Sequence, residues 1–147
     1  MGRVSRFELD LTLAQRMCAA ARAAASDCGA LVSVAVVDGG GHLICFERMD
    51  AAEIAGPVLA RDKAHTAVAH RIATADLTAL VAPGAELAGM NSADGGRYVA
   101  FAGGLPLWDG DRVIGGIGVS GGTAAQDAAA ATAGAGQFTA ELARVGP

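Results

Sequence analysis

Lys63 and His65 stand two residues apart in a stretch otherwise made of alanine and threonine. A lysine half-buried among alanines would have its pKa lowered, which suits it to acid/base work or to iminium formation with a carbonyl. The same lysine on a helix surface would pair with Asp62 instead. His65 can move a proton or bind a haem iron. His65 and His70 are five positions apart, about 140° around a helix, so they do not form the one-face pair of a zinc site. His70 and His42 read as satisfied or exposed histidines.

A second group of chemically capable residues surrounds a glycine-rich run, Gly115 to Gly118 and then Val119-Ser120-Gly121-Gly122, followed by Thr123 to Asp127. A strand that turns through glycine into a helix start presents bare backbone N–H groups, and these can hold a carboxylate or phosphate. Gly118, Ser120, Gly121 and Gly122 are therefore candidate ligand-binding positions; the competing reading is that the glycines let the helix pack on the strand. No Gly-Lys-Ser/Thr follows, so the run is not a P-loop. Ser120 lies in Gly-x-Ser-x-Gly surroundings, but no acid and histidine follow it in α/β-hydrolase order. Arg48 can take a ligand carboxylate in bidentate fashion or pair with Asp50 or Asp127.

The elements that must position these residues are readable from periodicity and turn chemistry. Thr12 to Asp27 has apolar residues at helical spacing, with Thr12 and Gln15 placed as a capping box. Leu31 to Asp38 and His42 to Arg48 are strand-like runs joined by Asp38-Gly39-Gly40-Gly41, a hairpin. Pro57 suits a first helical turn, and the helix continues over Val58 to Ala73. A short helix over Ala75 to Val81 follows, capped by Thr74, and then a loop. Tyr98 to Ala102, Leu105 to Trp108 and Arg112 to Ser120 read as three strands of a meander, the last two joined at Asp109-Gly110. Thr123 and Gln126 form a capping box for a helix that ends near Ala143. This order favours an α+β fold with an antiparallel sheet over a βαβ fold.

The 147 residues make one domain, with residues 1–8 expected to be a flexible extension. Hydrophobic residues are 52% of the chain but aromatic ones only 4%, which points to close backbone packing rather than a core of large rings. The net charge of −4 and the lack of a basic, aromatic-studded surface exclude nucleic acid as the expected partner. No run of about 18 apolar residues is present, so no membrane partner is expected, and the chain is expected to be cytoplasmic. Cys18, Cys28 and Cys45 are odd in number and widely spaced, and they read as small buried hydrophobes.

Four motifs in one order carry a family resemblance: Arg48-Met49-Asp50-Ala51-Ala52, Lys63-Ala64-His65-Thr66-Ala67, Gly103-Gly104-Leu105-Pro106, and Gly118 to Gly122 with Gln126-Asp127. From about Leu9 to Phe138 the chain resembles the GlcG/HbpS family. The resemblance implies a profilin-like domain with a five-stranded antiparallel sheet, assembled into homodimers or larger homo-oligomers. Its members include secreted haem-binding and haem-degrading sensors, a domain of propanediol-type corrinoid adenosyltransferases, and small proteins encoded beside catabolic enzymes. Ala51 stands where the family commonly has glycine, and Ala128 where an acidic residue is common.

The leading expectation is a protein that binds a small anionic or planar ligand of the haem or tetrapyrrole type. Arg48 and Lys63 would supply charge, Gly118 to Gly122 amides, and Asp50, Gly104 and Asp127 further ligand-binding positions; His65 is the candidate iron ligand. A second expectation is a cofactor-free isomerase, lyase or hydrolase acting on a small carbonyl or carboxylate compound, with Lys63 or His65 as acid or base. A third is an accessory subunit of a metabolic enzyme.

Overall fold

The structure is a computed structural model that describes residues 2–146. Helix α1 (Leu11–Asp27) starts where Asp10 accepts the Leu13 N–H at 2.8 Å. The cap is thus Asp10 and not the Thr12/Gln15 pair, because α1 begins one residue before Thr12. Strands β1 (Ser33–Asp38) and β2 (Leu43–Arg48) form the expected hairpin, and helix α2 (Gly56–His70) follows with Pro57 in its first turn. It ends at Arg71 in the left-handed region, three residues short of the expected end. The short helix α3 (Thr74–Leu77) leads through turns to β3 (Gly104–Asp109), β4 (Arg112–Ser120) and helix α4 (Ala124–Val145). Helix α4 carries the Thr123/Gln126 capping box read from the sequence.

The fold is α+β, with one antiparallel sheet in the order β2-β1-β4-β3. Among the described residues it has four strands, not the five expected. The missing one is Tyr98 to Ala102, whose backbone polar groups are taken by side chains outside the sheet. Val99 N–H donates to Thr66 Oγ1 at 3.0 Å, and Thr78 Oγ1 donates to the Ala100 carbonyl at 2.7 Å. The segment therefore runs along α2 and α3 and joins the sheet only at Gly103, whose carbonyl accepts the Val119 N–H.

The two faces of the sheet are covered differently. Val32, Val34, Val36, Ile117 and Val119 turn toward α1 and α4, where they bury Met17, Ala21, Ala131 and Phe138. Each such side chain removed from water contributes about 1.5–3 kcal/mol. Ala35 and Val37 turn the other way, toward Ala60 and Ala64 of α2. Residues 2–10 form no helix or strand, yet Phe7 sets its ring edge-on to Phe138 at 5.9 Å between centroids and Leu9 packs on the same core. Phe7 and Leu9 thus bring this segment against the core.

Helix α2 lies unusually close to the sheet because β4 lacks side chains beneath it. A Cβ at Gly118 would collide with the Ala60 carbonyl oxygen, and one at Gly104 with the Lys63 carbonyl oxygen. The alanines of α2 and the glycines of β3 and β4 are therefore two halves of one interface. This close approach delivers Lys63 to the middle of the molecule.

Candidate functional site

The residues singled out in the sequence fall at two places. One lies where β4 ends and α4 begins. There Lys63 is wholly buried and donates from Nζ to the Val119 carbonyl at 2.9 Å and to Asp127 Oδ2 at 3.0 Å. The ring of Phe101 covers the amine, 5.0 Å from Nζ to its centroid. The second carboxylate oxygen of Asp127 accepts the Gly122 N–H at 2.8 Å. Burial pushes the Lys63 pKa down, and the hydrogen bond and charge of Asp127 only partly restore it.

Several amides of the glycine turn beside this pair are already bonded within the protein. The Gly122 amide is spent on Asp127, and the Thr123 and Gln126 amides are spent on each other's side chains. Gly121 has φ 144, and a Cβ there would meet the Leu31 carbonyl oxygen, so its service is close packing. Ser120 is buried and faces Ser33 in the ladder, which in turn faces Arg48. Ser33 Oγ is buried with no hydrogen-bond partner. Arg48 and Asp50 are exposed on the rim and make no ion pair among the described residues. With both hydrogen bonds made inside the protein, the Lys63 amine holds the fold.

The other place is at the opposite end of the sheet, where a cavity of about 750 Å³ opens between the N-terminal segment, the β1–β2 turn, α2 and the start of β4. Its lining is mixed: Phe7, Leu9, Ile44, Val68 and Ile114 give apolar surface, and Arg6, Arg71 and Arg112 stand around it together with Glu8, Asp38 and Asp111, Arg6 being paired with Glu8. His65 walls it, with Nε2 2.7 Å from Asp94 Oδ2 and Nδ1 turned toward Gly41; its ring stacks on Tyr98. Tyr98 also meets His70 edge-on.

His42 borders the same cavity from the hairpin turn and is 82% exposed. Its Nδ1 lies 3.3 Å from Asp38 Oδ1, and among the described residues its Nε2 has no hydrogen-bond partner. The Asp38 carboxyl is pushed up by partial burial, but the His42 and Gly40 amides outweigh that and hold it below the ordinary aspartate range. The His42 ring thus stands at the hairpin tip with a carboxylate beside Nδ1 and Nε2 open to the outside. Sequence reading missed the three arginines because they come from three distant segments. The signal for His42 was present in the turn Gly39-Gly40-Gly41-His42, which leaves a histidine at a hairpin tip.

Comparison with known proteins decides the family. A family model described as haem degrading protein HbpS-like matches residues 9–136. The chain belongs to the HbpS-like family. Among curated proteins it is 40% identical over 119 residues to a 15.0 kDa protein encoded between dhaT and dhaS in Citrobacter freundii, covering 81% of this chain and 84% of that one. It is also 43% identical over 96 residues to the corrinoid adenosyltransferase PduO of Citrobacter freundii, covering 65% of this chain but only 29% of PduO. Among solved structures, Klebsiella pneumoniae ORFY superposes with a TM-score of 0.90 at 34% identity, covering 95% of this chain and 97% of ORFY. The PduOC:haem complex gives 0.86 at 36% identity, with 89% and 95% covered. HbpS of Streptomyces reticuli, solved as a double mutant, gives 0.83 at 31%, with 91% and 89% covered.

Proposed function

We propose that this HbpS-like protein binds haem, or a tetrapyrrole of the same shape and charge, in the cavity bordered by His42 and His65. The observation that carries this reading is the make-up of that cavity. A planar apolar dianion needs apolar contact, cations for its carboxylates and a ligand for its metal, and apolar side chains, arginines and histidines all border this cavity. Its size lies within the roughly 300–1,000 Å³ usual for small-ligand sites. The likeness to PduOC, solved with haem, supports the same ligand class.

The residues divide the work by chemistry. Arg71 and Arg112 would hold the propionates through charge-assisted hydrogen bonds, with Arg6 beside them on Glu8. His42 Nε2 is the iron ligand, with Asp38 holding its ring from behind. His65, with Nε2 on Asp94 and Nδ1 turned toward Gly41, lines the wall beside it. Bound haem would supply a redox-active iron to this site. Lys63, Asp127 and the glycine turn lie apart from the cavity lining and maintain the fold that frames it, while Arg48 and Asp50 lie apart from it on the exposed rim.

The protein acts as a homo-oligomer in this reading. Ile54 and Val58, 88% and 63% exposed at the start of α2, give it an apolar surface for a second copy. Light scattering of purified protein tests this, and a monomer at all concentrations contradicts it. For haem itself, haemin is titrated into the protein and followed by absorbance. Saturation at one haemin per chain with a shifted Soret band, reversed by excess imidazole, is expected. Linear adsorption without saturation would sink the reading.

A further inference from the structure

Two cysteines far apart in sequence meet beside the edge of the sheet. Cys18 is wholly buried on α1, and Cys45 is half-buried on β2, the edge strand whose side chain here turns toward α1. The two sulfurs and a Glu47 carboxylate oxygen all lie within 4.8 Å of one another. This corrects the expectation of three isolated hydrophobic thiols. Only Cys28 stands apart, exposed at the end of α1 with its thiol on the Ala25 carbonyl.

We infer that Cys18 and Cys45 are a redox-active pair that closes to a disulfide when a peroxide reaches the edge of the sheet. A bond needs the two sulfurs to close from within 4.8 Å to about 2 Å. The partial exposure of Cys45 makes it the first to react. Its thiolate attacks a peroxide oxygen; the O–O bond breaks, one oxygen leaves as water, and Cys45 becomes a sulfenic acid. Cys18 sulfur then attacks Cys45 sulfur, the S–O bond breaks, and the second water leaves with the Cys18 proton. Two thiols and one hydrogen peroxide thus give one disulfide and two waters.

The surroundings favour the disulfide over a metal ion as the occupant. Glu47 is already ion-paired with Arg22, so the third ligand is engaged and a guanidinium sits beside the position a cation would take. Burial pushes the Cys18 thiol pKa well up, with Cys45 and Glu47 adding to it, which keeps Cys18 a protonated, unreactive partner until a sulfenic acid forms beside it. The closed bond would tie α1 to β2 and stiffen the strand that carries Ile44 at the cavity floor and ends the hairpin bearing His42.

The test treats reduced protein with equimolar hydrogen peroxide, alkylates it under denaturing conditions and measures the intact mass. Expected is a single alkylated thiol, Cys28, with a Cys18–Cys45 linked peptide after digestion and a rise in the unfolding midpoint of roughly 5–10 °C that dithiothreitol reverses. Cys45→Ser, at the half-buried position, should form no link and keep both other thiols alkylatable. Cys28→Ser should behave as wild type. Three alkylatable thiols after treatment, stable addition of oxygen to Cys45 without a link, or protection that a chelator removes would each overturn the inference.

Discussion

Lys63 and Asp127, on α2 and at the start of α4, meet in the interior with Nζ 3.0 Å from Oδ2 and almost no exposure of either side chain. The pair ties the helix on one face of the sheet to the helix on the other, through the end of β4 between them. Removing one charge from such a pair leaves the other desolvated and unmatched. Lys63→Met and Asp127→Leu are each expected to cost about 3–5 kcal/mol, while the double variant should be more stable than either single one. Urea unfolding of all three decides it, and strictly additive losses would contradict the pairing.

Because burial lowers the folded-state pKa of Lys63 below the ordinary 10.5, the unfolded chain holds more protons between those two values. Stability from this group therefore rises as pH climbs through that window toward 10.5. Thermal midpoints measured across the alkaline range should show this rise in wild type relative to Lys63→Met. A steeper alkaline rise in the variant would run against it.

At the acid end the slope has the same sign, because the folded-state pKa is again the lower one. Glu141 on α4 is bonded by Arg144 and also reaches Arg16 on α1, and these hold its carboxyl at about 2 against the ordinary 4.5. Its contribution is present above 4.5 and is lost as pH falls toward about 2. Glu141→Gln should flatten the acid limb of the stability curve by lowering stability slightly above pH 4.5, a small loss for so exposed a cluster, while leaving the lowest pH unchanged.

Ala51 has φ 63, in the left-handed region that costs an L-residue about 1–2 kcal/mol. Ala51→Gly should therefore stabilise the protein by about 0.5–1 kcal/mol after the extra chain entropy of glycine is subtracted. Gly118→Ala should do the opposite and cost at least about 1–3 kcal/mol, since α2 must move off β4 to admit the methyl group. Both are read from denaturant midpoints.

Local signals carried much of the fold. The Thr123/Gln126 box, Pro57 in the first turn of α2 and the two hairpins are short-range features, and the structure has them where the residues indicated. What short-range reading misplaced was decided at long range. Tyr98 to Ala102 alternates as a strand does, but Thr66 and Thr78 claim its backbone from distant positions. The glycines after Val119 have the look of an anion cradle, yet Asp127 and Gln126 fill the amides and Leu31 lies against Gly121. The cavity arginines come from positions 6, 71 and 112, and nothing but the folded sheet brings them together.

The measurement that bears most directly on this account is a haemin titration of five proteins at matched concentration: wild type, His42→Ala, Arg112→Ala, Arg48→Ala and Ser120→Ala. If haem enters the cavity at the hairpin end, Arg48→Ala and Ser120→Ala bind as wild type does. His42→Ala then shifts the Soret band, and Arg112→Ala weakens binding by roughly tenfold, the loss of a charge-assisted hydrogen bond. Weakening by Arg48→Ala and Ser120→Ala, with His42→Ala and Arg112→Ala unchanged, would place the ligand at the glycine turn and contradict the account.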